Sequence, residues 1–303
     1  MEKRKFGNTG LAVSRLTFGC GAVGGLMTKG DARDQDRAIG WARDHGINFF
    51  DTAASYGNGV SEENLGRALQ GNSDGLVIST KVGLSNDDLA DVYGAITRSL
   101  DASLARLGLD HVDIFQLHNT LGRTDFRGTL TIDQIIDAVV PAFDKLRDSG
   151  KVRFLGFTAK GEADDVHKLV SCGVFHSAQV FYNLLVPSAG EPIAATYPSD
   201  DYKLLLETAK DHGVGAIGVR VLAGGALSGS VARHPLGMRD VTPIGSETDY
   251  ATDVERGLAF MPLVKAGHAG SLIELAIRYV ISNPALPTTE IGIATLDELQ
   301  QAT

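Results

Sequence analysis

Four titratable side chains in the first half of the chain have the chemistry of a proton-transfer site. Asp51 and Tyr56 lie five positions apart in the stretch NFFDTAASYGNGVSEENLG (48–66), and Lys81 and His118 follow. An isolated tyrosine has a pKa near ~10, and a nearby ammonium such as that of Lys81 lowers it. With Asp51 keeping the lysine charged, Tyr56 can exchange a proton with a carbonyl or alcohol oxygen, which a neutral His118 orients. None of these side chains carries a hydride, so redox chemistry here requires a bound hydride carrier.

The four residues lie at or just after the ends of short apolar runs, which alternate with longer amphipathic stretches. The runs predict strands at 15–21, 47–53, 76–82, 112–118, 152–159, 177–183, 215–222 and 289–294. The amphipathic stretches predict helices at 31–45, 62–70, 89–107, 132–148, 162–171, 201–211 and 272–282. This alternation favours an α/β fold, a (β/α)8 TIM barrel with a short N-terminal β-hairpin that turns at Gly7-Asn8-Thr9-Gly10. A doubly wound open sheet is the alternative, and the lack of a Gly-x-Gly-x-x-Gly segment after the first strand disfavours it.

In such a barrel the C-terminal ends of the strands form one rim, where active sites lie. The second predicted strand brings Asp51 to this rim, the third brings Lys81 and the fourth brings His118. Tyr56 lies in the bend after Asp51 and can lean over the same rim. Each residue alone has an ordinary structural explanation, such as a turn cap, a packing ring or a surface charge. Their convergence on one rim favours the catalytic explanation.

Composition limits the classes of protein that the chain can represent. It has 303 residues and no linker rich in Pro, Gly or Ser, which predicts one domain spanning 1–303. The net charge of −9 disfavours nucleic-acid and anionic-membrane partners, and the apolar runs are too short to span a bilayer. Cys20 and Cys172 form neither a disulfide framework nor a metal-binding spacing. We therefore expect a cytoplasmic location, no metal and a small-molecule partner.

Three segments carry a resemblance to a known family. The segments INFFDTAASYGNGVSEENLG, VISTKVG and VDIFQLHN resemble the signature segments of the aldo-keto reductase superfamily. The resemblance implies a TIM barrel on which a nicotinamide dinucleotide, NAD(P)(H), lies across the strand ends. It also implies a catalytic tetrad of Asp51, Tyr56, Lys81 and His118. The expected reaction is the interconversion of an aldehyde, ketone or aldose with its alcohol.

The same resemblance implies a set of cofactor contacts, with three departures. The implied contacts are Thr158, Gln179, Val219, Arg220, Leu222, Gly224 and Leu227. Gly21, in the loop after the first strand, is a further candidate, because a glycine lets the backbone come close to the nicotinamide or substrate. Ala159 stands where the family usually has an asparagine, so one contact to the nicotinamide amide is lost. Val219 stands where the family usually has an aromatic residue under the nicotinamide. The terminal segment TTEIGIATLDELQQAT has no Lys or Arg for a 2′-phosphate, which shifts the expectation from NADP(H), the family default, towards NAD(H).

Four long loops are expected to determine specificity, at 20–29, 119–130, 184–199 and 228–253. Within the last, Arg233 and Arg239 make a candidate lid over the cofactor diphosphate. The loops offer few fixed charges, which favours an apolar or sugar-like carbonyl substrate over a strongly anionic one.

Two other functions remain compatible with the residues. A barrel of this kind can serve as a cofactor-binding regulatory or scaffolding subunit with little turnover. Lys81 can alternatively act as a Schiff-base nucleophile, although an adjacent Asp51 keeps the amine protonated. The sequence gives no indication of the oligomeric state.

Overall fold

A closed barrel of parallel strands forms the centre of the protein. The computed structural model describes residues 1–122, 128–246 and 248–303. Within these ranges the barrel strands are β1 Leu16–Gly19, β2 Phe49–Asp51, β3 Val77–Val82, β4 Val112–Leu117, β5 Val152–Ala159, β6 Ser177–Phe181, β7 Gly215–Val219 and β8 Thr288–Gly292. Each pairs in parallel with the next along the chain, and β8 closes on β1. The predicted TIM barrel is confirmed. Every strand lies inside its predicted range, except that β8 begins one residue earlier.

The predicted N-terminal hairpin is also confirmed. Lys3–Lys5 pairs with Ala12–Ser14 in antiparallel register. The hairpin buries Phe6 and Val13 completely, and both pack against inward-facing side chains of the barrel strands. The ring of Phe6 meets that of Phe49 edge-on, with the centroids 5.9 Å apart. This apolar plug closes the end of the barrel opposite the C-terminal rim.

Helices cover the outside of the barrel. The longer ones are Ala32–Asp44, Val60–Leu69, Val92–Leu107, Val140–Asp148, Ala163–Ser171, Leu205–Asp211, Tyr250–Leu258, Leu272–Ser282 and Leu296–Ala302. Shorter pieces are Leu26–Lys29, Ile132–Gln134, Met261–Lys265, the 3-10 turns Asp87–Ala90 and Ala223–Ser228, and the π-helix Ile135–Val139. None of the helices in the described ranges is long and apolar enough to cross a membrane.

Two predicted helices begin three or four residues later than the sequence pattern indicates. The helix predicted at 201–211 begins at Leu205, because Lys203 and Leu204 have φ of 49° and 60° and no right-handed helix continues through them. The helix predicted at 89–107 begins at Val92, because the Asp91 side chain caps its N-terminus by accepting a hydrogen bond from the Gly94 amide.

Candidate active site

A buried ion pair at the rim of the barrel forms the centre of the site. Asp51 is the last residue of β2, Lys81 lies on β3, and both side chains are fully buried. The Lys81 ammonium contacts Asp51 Oδ2 and donates a second hydrogen bond of 2.8 Å to the Thr52 carbonyl. Asp51 Oδ1 accepts hydrogen bonds from the Ser79 hydroxyl and from Gln116 Nε2, the latter at 2.9 Å. Such extra partners offset the cost of removing both charges from water.

Tyr56 lies directly beside this pair. Its phenol oxygen accepts a 3.1 Å hydrogen bond from Lys81 Nζ, and the ammonium lies 4.5 Å from the centre of its ring. His118 is the residue directly after β4, and its side chain is half-buried. Its ring lies almost at a right angle to the Tyr56 ring, with the centroids 6.0 Å apart. The structure thus brings together all four side chains that the sequence assigns to the rim.

Main-chain and hydroxyl hydrogen bonds hold the bend that carries Tyr56. The Tyr56 amide donates to the Ala53 carbonyl at 3.0 Å, and its carbonyl accepts from the Ser61 amide at 3.2 Å. The Ser61 hydroxyl contacts the Thr52 hydroxyl at 2.8 Å and donates to the Cys20 carbonyl at 2.9 Å. Ser61 therefore ties the Tyr56 bend to both β2 and the loop after β1.

The expectation that Lys81 lowers the pKa of Tyr56 is wrong for the net effect. Burial raises this pKa, the Lys81 ammonium lowers it, and the carboxyl groups of Glu290 and Asp51 raise it further, so that it reaches about 12. The sequence does not indicate how much water the folded rim excludes, and this exclusion is the largest contribution. The phenol consequently keeps its proton at neutral pH.

Lys81 is charged and His118 is neutral in this site. Burial lowers the pKa of Lys81, but attraction to Asp51 and the other acidic groups outweighs it, and the net pKa is raised. Burial, followed by the Lys81 charge, lowers the pKa of His118 to about 4. Near pH 7 the site therefore contains an ammonium and a neutral imidazole.

Sequence reasoning missed one acidic residue of this cluster, Glu290. It points inward from β8, where its Oε2 accepts a 3.0 Å hydrogen bond from Gln179 Nε2, and its carboxyl group contacts that of Asp51. Burial and the neighbouring Asp51 raise its pKa well above the usual range. A signal was present in the sequence, because an acid in the apolar run TTEIGIA occupies an inward-facing strand position.

Two expected cofactor contacts lie on neighbouring strands at the same rim. Thr158 on β5 pairs in register with Gln179 on β6, both are buried, and the Thr158 hydroxyl donates to Gln179 Oε1 at 3.3 Å. Val219 ends β7 and packs in the inner apolar cluster of the barrel. In the loop after β1, a Cβ on Gly21 would lie 3.5 Å from the Tyr56 ring, so this loop passes close to the phenol.

The remaining expected contacts lie in the turn after β7. Arg220 and Gly224 have φ of 60° and 70°, and Leu222 and Leu227 bracket a tight turn closed by a 3.1 Å main-chain hydrogen bond. Leu227 is completely buried, backbone included.

Two guanidinium groups lie near this turn. Arg220 donates to the Thr242 carbonyl and Arg233 to the Gly224 carbonyl, both at 2.6 Å. Burial, followed by repulsion from Arg233, lowers the pKa of Arg220. The two guanidinium groups therefore give the turn after β7 a local positive charge.

Parts of the predicted loops can be compared with the structure. The loop 20–29 packs on the end of β8, where a Cβ on Gly24 would lie only 2.2 Å from the Ile293 amide nitrogen. In the loop 228–253, Arg233 donates a hydrogen bond to the Met238 carbonyl, whereas Arg239 is exposed. Glu247 of this loop lies outside the described residues. Residues 123–127 of the loop 119–130 also lie outside them. In the described ranges no group of three His, Cys, Asp or Glu residues is arranged to hold a metal ion.

Comparisons with known proteins agree with this geometry. Residues 15–303 match the aldo/keto reductase family. L-galactose dehydrogenase from Arabidopsis thaliana is 29% identical, covering 99% of this chain and 86% of that protein. A probable voltage-gated potassium channel subunit beta from the same organism is 28% identical, covering 99% and 90%. The holo form of an aldo-keto reductase from Bacillus halodurans superposes with a TM-score of 0.71 at 23% identity, covering 100% and 89%, and supports the fold.

The family match includes the strands that carry Asp51, Lys81 and His118 and the bend that carries Tyr56. The resemblance found in the sequence is therefore confirmed: the chain belongs to the aldo/keto reductase family of oxidoreductases.

Proposed function

We propose that this protein interconverts a carbonyl compound and its alcohol, with Tyr56 as the proton donor and acceptor. The observation that carries the proposal is the 3.1 Å contact between Lys81 Nζ and the Tyr56 phenol oxygen, beside the buried Asp51. When bound, a nicotinamide dinucleotide supplies or accepts the hydride. The side chains described above then control only the proton and the orientation of the substrate oxygen.

The proton step follows from the hydrogen-bond pattern. Because Lys81 donates to the phenol oxygen, the Tyr56 proton is free to be given to a substrate oxygen at the mouth of the barrel. As that proton leaves, the adjacent ammonium stabilises the developing phenolate, and Asp51 and the Thr52 carbonyl hold the ammonium in place. The neutral His118 can donate a hydrogen bond to the same substrate oxygen. In the reverse direction, the phenolate takes the proton of the alcohol.

The residues at the rim fit a dinucleotide. Thr158 and Gln179 offer a hydroxyl and an amide at adjacent strand ends, which suit the nicotinamide carboxamide. Arg220 and Arg233 offer paired positive charge for the diphosphate. Val219 gives the nicotinamide an aliphatic surface in place of an aromatic ring. We propose NAD(H) as the preferred form, because residues 288–303 contain no Lys or Arg for a 2′-phosphate.

We further propose an uncharged aldose, or a similar hydroxy-carbonyl compound, as the substrate. The relative named L-galactose dehydrogenase supports a sugar-like substrate. We also propose a cytoplasmic protein that folds as one domain over residues 1–303 and whose partner is this small molecule rather than a nucleic acid.

The test combines cofactor binding with turnover. Fluorescence titration with NADH and NADPH in parallel identifies the preferred form, which is then assayed against a panel of aldehydes, ketones and aldoses. We expect Tyr56→Phe to lower kcat by about 100-fold or more, the usual loss when a general acid is removed. Tyr93→Phe is the matched control, because Tyr93 is 42% exposed on the Val92–Leu107 helix. Equal turnover of wild type and Tyr56→Phe would contradict the proposed role.

A cofactor-binding subunit with little turnover is the second candidate, supported by the relative named as a potassium channel subunit beta. Tight dinucleotide binding with no turnover across the whole panel would favour it. The Schiff-base alternative is disfavoured, because the raised pKa of Lys81 leaves almost no neutral amine to attack a carbonyl.

A further inference from the structure

Glu290 lies one strand away from the catalytic residues and contacts two of the groups already described. It faces into the barrel from β8, in register with Thr17 of β1. Its carboxyl group contacts Asp51 on one side and accepts a 3.0 Å hydrogen bond from Gln179 Nε2 on the other. It therefore links the acid of the ion pair to the amide proposed to hold the nicotinamide.

The neighbouring strand leaves room for this carboxyl group. A Cβ on Gly19 would lie 2.7 Å from Glu290 Oε1, closer than real Cβ contacts occur. Gly19 has ordinary negative φ, so its backbone conformation does not require glycine. The space above Gly19 is used by the Glu290 side chain.

We propose that Glu290 is a positioning residue that works as a neutral carboxylic acid, donating its proton to Asp51 while accepting a hydrogen bond from Gln179. The inference rests on the proposed function and adds a fifth side chain to its machinery. Glu290 acts through its two neighbours, since it fixes the orientation of Asp51 below Lys81 and that of the Gln179 amide at the rim.

The hydrogen-bond count determines which of the two carboxyl groups carries the proton. Asp51 accepts from Lys81, Ser79 and Gln116, and three donors stabilise the ionised form of a carboxylate. Among the residues that the structure describes, Gln179 is the one hydrogen-bond donor to Glu290. A proton shared between the two groups therefore resides mainly on Glu290 and is directed at Asp51.

The charges of the groups around Glu290 also indicate that Glu290, and not Asp51, carries the proton. The titratable groups that face Glu290 are Asp51 on β2, Lys81 on β3, Tyr56 in the bend and Cys20 after β1. Asp51 and Lys81 cancel each other, and burial raises the pKa of both the Tyr56 phenol and the Cys20 thiol, which stay neutral. An ionised Glu290 would leave one uncompensated negative charge among these inward-facing groups, whereas a protonated Glu290 leaves none.

The contact with Gln179 sets which end of the amide faces Thr158. Because Nε2 donates to Glu290, Oε1 faces the Thr158 hydroxyl and is available to accept a hydrogen bond from a ligand amide. Without Glu290, nothing among these contacts prevents the amide of Gln179 from turning over. Glu290 therefore also affects dinucleotide affinity, which can be measured without any turnover.

Two substitutions separate the neutral acid from a charged one. Glu290→Gln keeps a donor for Asp51 and an acceptor for Gln179, whereas Glu290→Leu removes both and takes from the Gln179 amide its acceptor on β8. We expect Glu290→Leu to lower kcat and dinucleotide affinity by about 10-fold each, as for the loss of hydrogen-bond partners to buried groups. We expect Glu290→Gln to recover most of both losses, to within about threefold of wild type.

Infrared spectroscopy of the cofactor-free protein at pH 7 gives an independent readout. Ordinary carboxyl groups titrate near ~4 and are ionised at this pH. We therefore expect the wild type to show the carbonyl stretching band of a protonated carboxylic acid, and Glu290→Gln to lack it.

Loss of function in Glu290→Gln as large as in Glu290→Leu would overturn the inference, as would an infrared spectrum that Glu290→Gln leaves unchanged. If Glu290→Leu fails to fold, the spectrum and the affinity of Glu290→Gln still decide. Failure of the proposed function would appear separately, as turnover that survives Tyr56→Phe.

Discussion

The two ends of the barrel interior are built from opposite chemistry. At the hairpin end, Phe6 and Val13 seal an apolar cluster with strand residues such as Phe49. The other end is the C-terminal rim, which forms the mouth of the barrel. There the inward-facing positions of the strands hold the charged side chains of Asp51 and Lys81. Because side chains of one strand face the same way at every second residue, Phe49 and Asp51 both point inward, one layer apart.

We therefore expect the hairpin end to contribute mainly to stability and the mouth to carry out the chemistry. The hairpin end gains free energy from buried apolar area. The mouth buries an ion pair, which in general stabilises a fold little, because desolvation offsets the attraction between the charges. The mouth is therefore kept in shape by a set of matched hydrogen bonds, and removing one member harms both its geometry and its charge balance. The following predictions test this division.

The largest effect is expected where a charge at the mouth loses its partner. Lys81→Met leaves Asp51 ionised and buried, which costs about 3 to 5 kcal/mol of unfolding free energy. The variant should also lose about 100-fold or more of kcat, since the phenolate is no longer stabilised. Denaturant unfolding and steady-state kinetics measure the two effects. The double variant Lys81→Met/Asp51→Asn should recover stability without activity, and recovery of both would contradict the account.

At the hairpin end, Phe6→Ala should cost about 3 to 5 kcal/mol, because it leaves a cavity beneath Phe49. We expect kcat to stay within about twofold of wild type at temperatures where the variant is folded. Leu258→Ala is the surface control, since Leu258 is 43% exposed. A loss of kcat in Phe6→Ala comparable to its loss of stability would show that the two ends are coupled.

Acid should affect the mouth through His118. Its pKa is about 4 in the folded protein, whereas an unfolded histidine titrates near ~6.5. Between these pH values the unfolded chain binds more protons than the folded protein does. The contribution of neutral His118 to the unfolding free energy is therefore fully present above about pH 6.5 and is lost as the pH falls towards 4. We expect protonation of this group to cost about 3 kcal/mol of unfolding free energy over that window, because the two pKa values differ by about 2.5 and each unit corresponds to about 1.4 kcal/mol. Unfolding free energies of wild type and His118→Gln at several pH values measure it, and parallel curves would contradict the assignment.

The smallest effect concerns the turn after β7, where Arg233 joins two loops through the Gly224 and Met238 carbonyls. Arg233→Met should raise the dinucleotide Kd by about tenfold, or ~1.4 kcal/mol. The difference from wild type should shrink as ionic strength rises, because salt screens the lost charge. Arg98→Met is the control, since Arg98 lies exposed on a helix of the barrel exterior. An equal change in Kd at all salt concentrations would indicate altered loop structure instead.

The sequence predicts the barrel and the four catalytic candidates for a local reason. Asp51, Lys81 and His118 each end an apolar run, and strand ends share one rim in this fold. The periodicity of apolar residues therefore carries the information.

What the sequence does not predict depends on contacts between distant segments. Glu290 meets Asp51 only when β8 closes on β1, so no local pattern indicates the pair. The pKa of Tyr56 depends on how much water the assembled rim excludes, which outweighs the nearby ammonium. The late start of the helix at Leu205 follows from left-handed residues that neither glycine nor proline marks.

The central claim is that a neutral, half-buried phenol at the mouth gives up its proton only when the adjacent ammonium stabilises the product. An ultraviolet difference titration between wild type and Tyr56→Phe measures this directly, because only the phenolate absorbs in the red-shifted band. The account predicts that Tyr56 ionises at about pH 12. Full ionisation of Tyr56 by pH 9 would contradict it and would identify the group as a resting base.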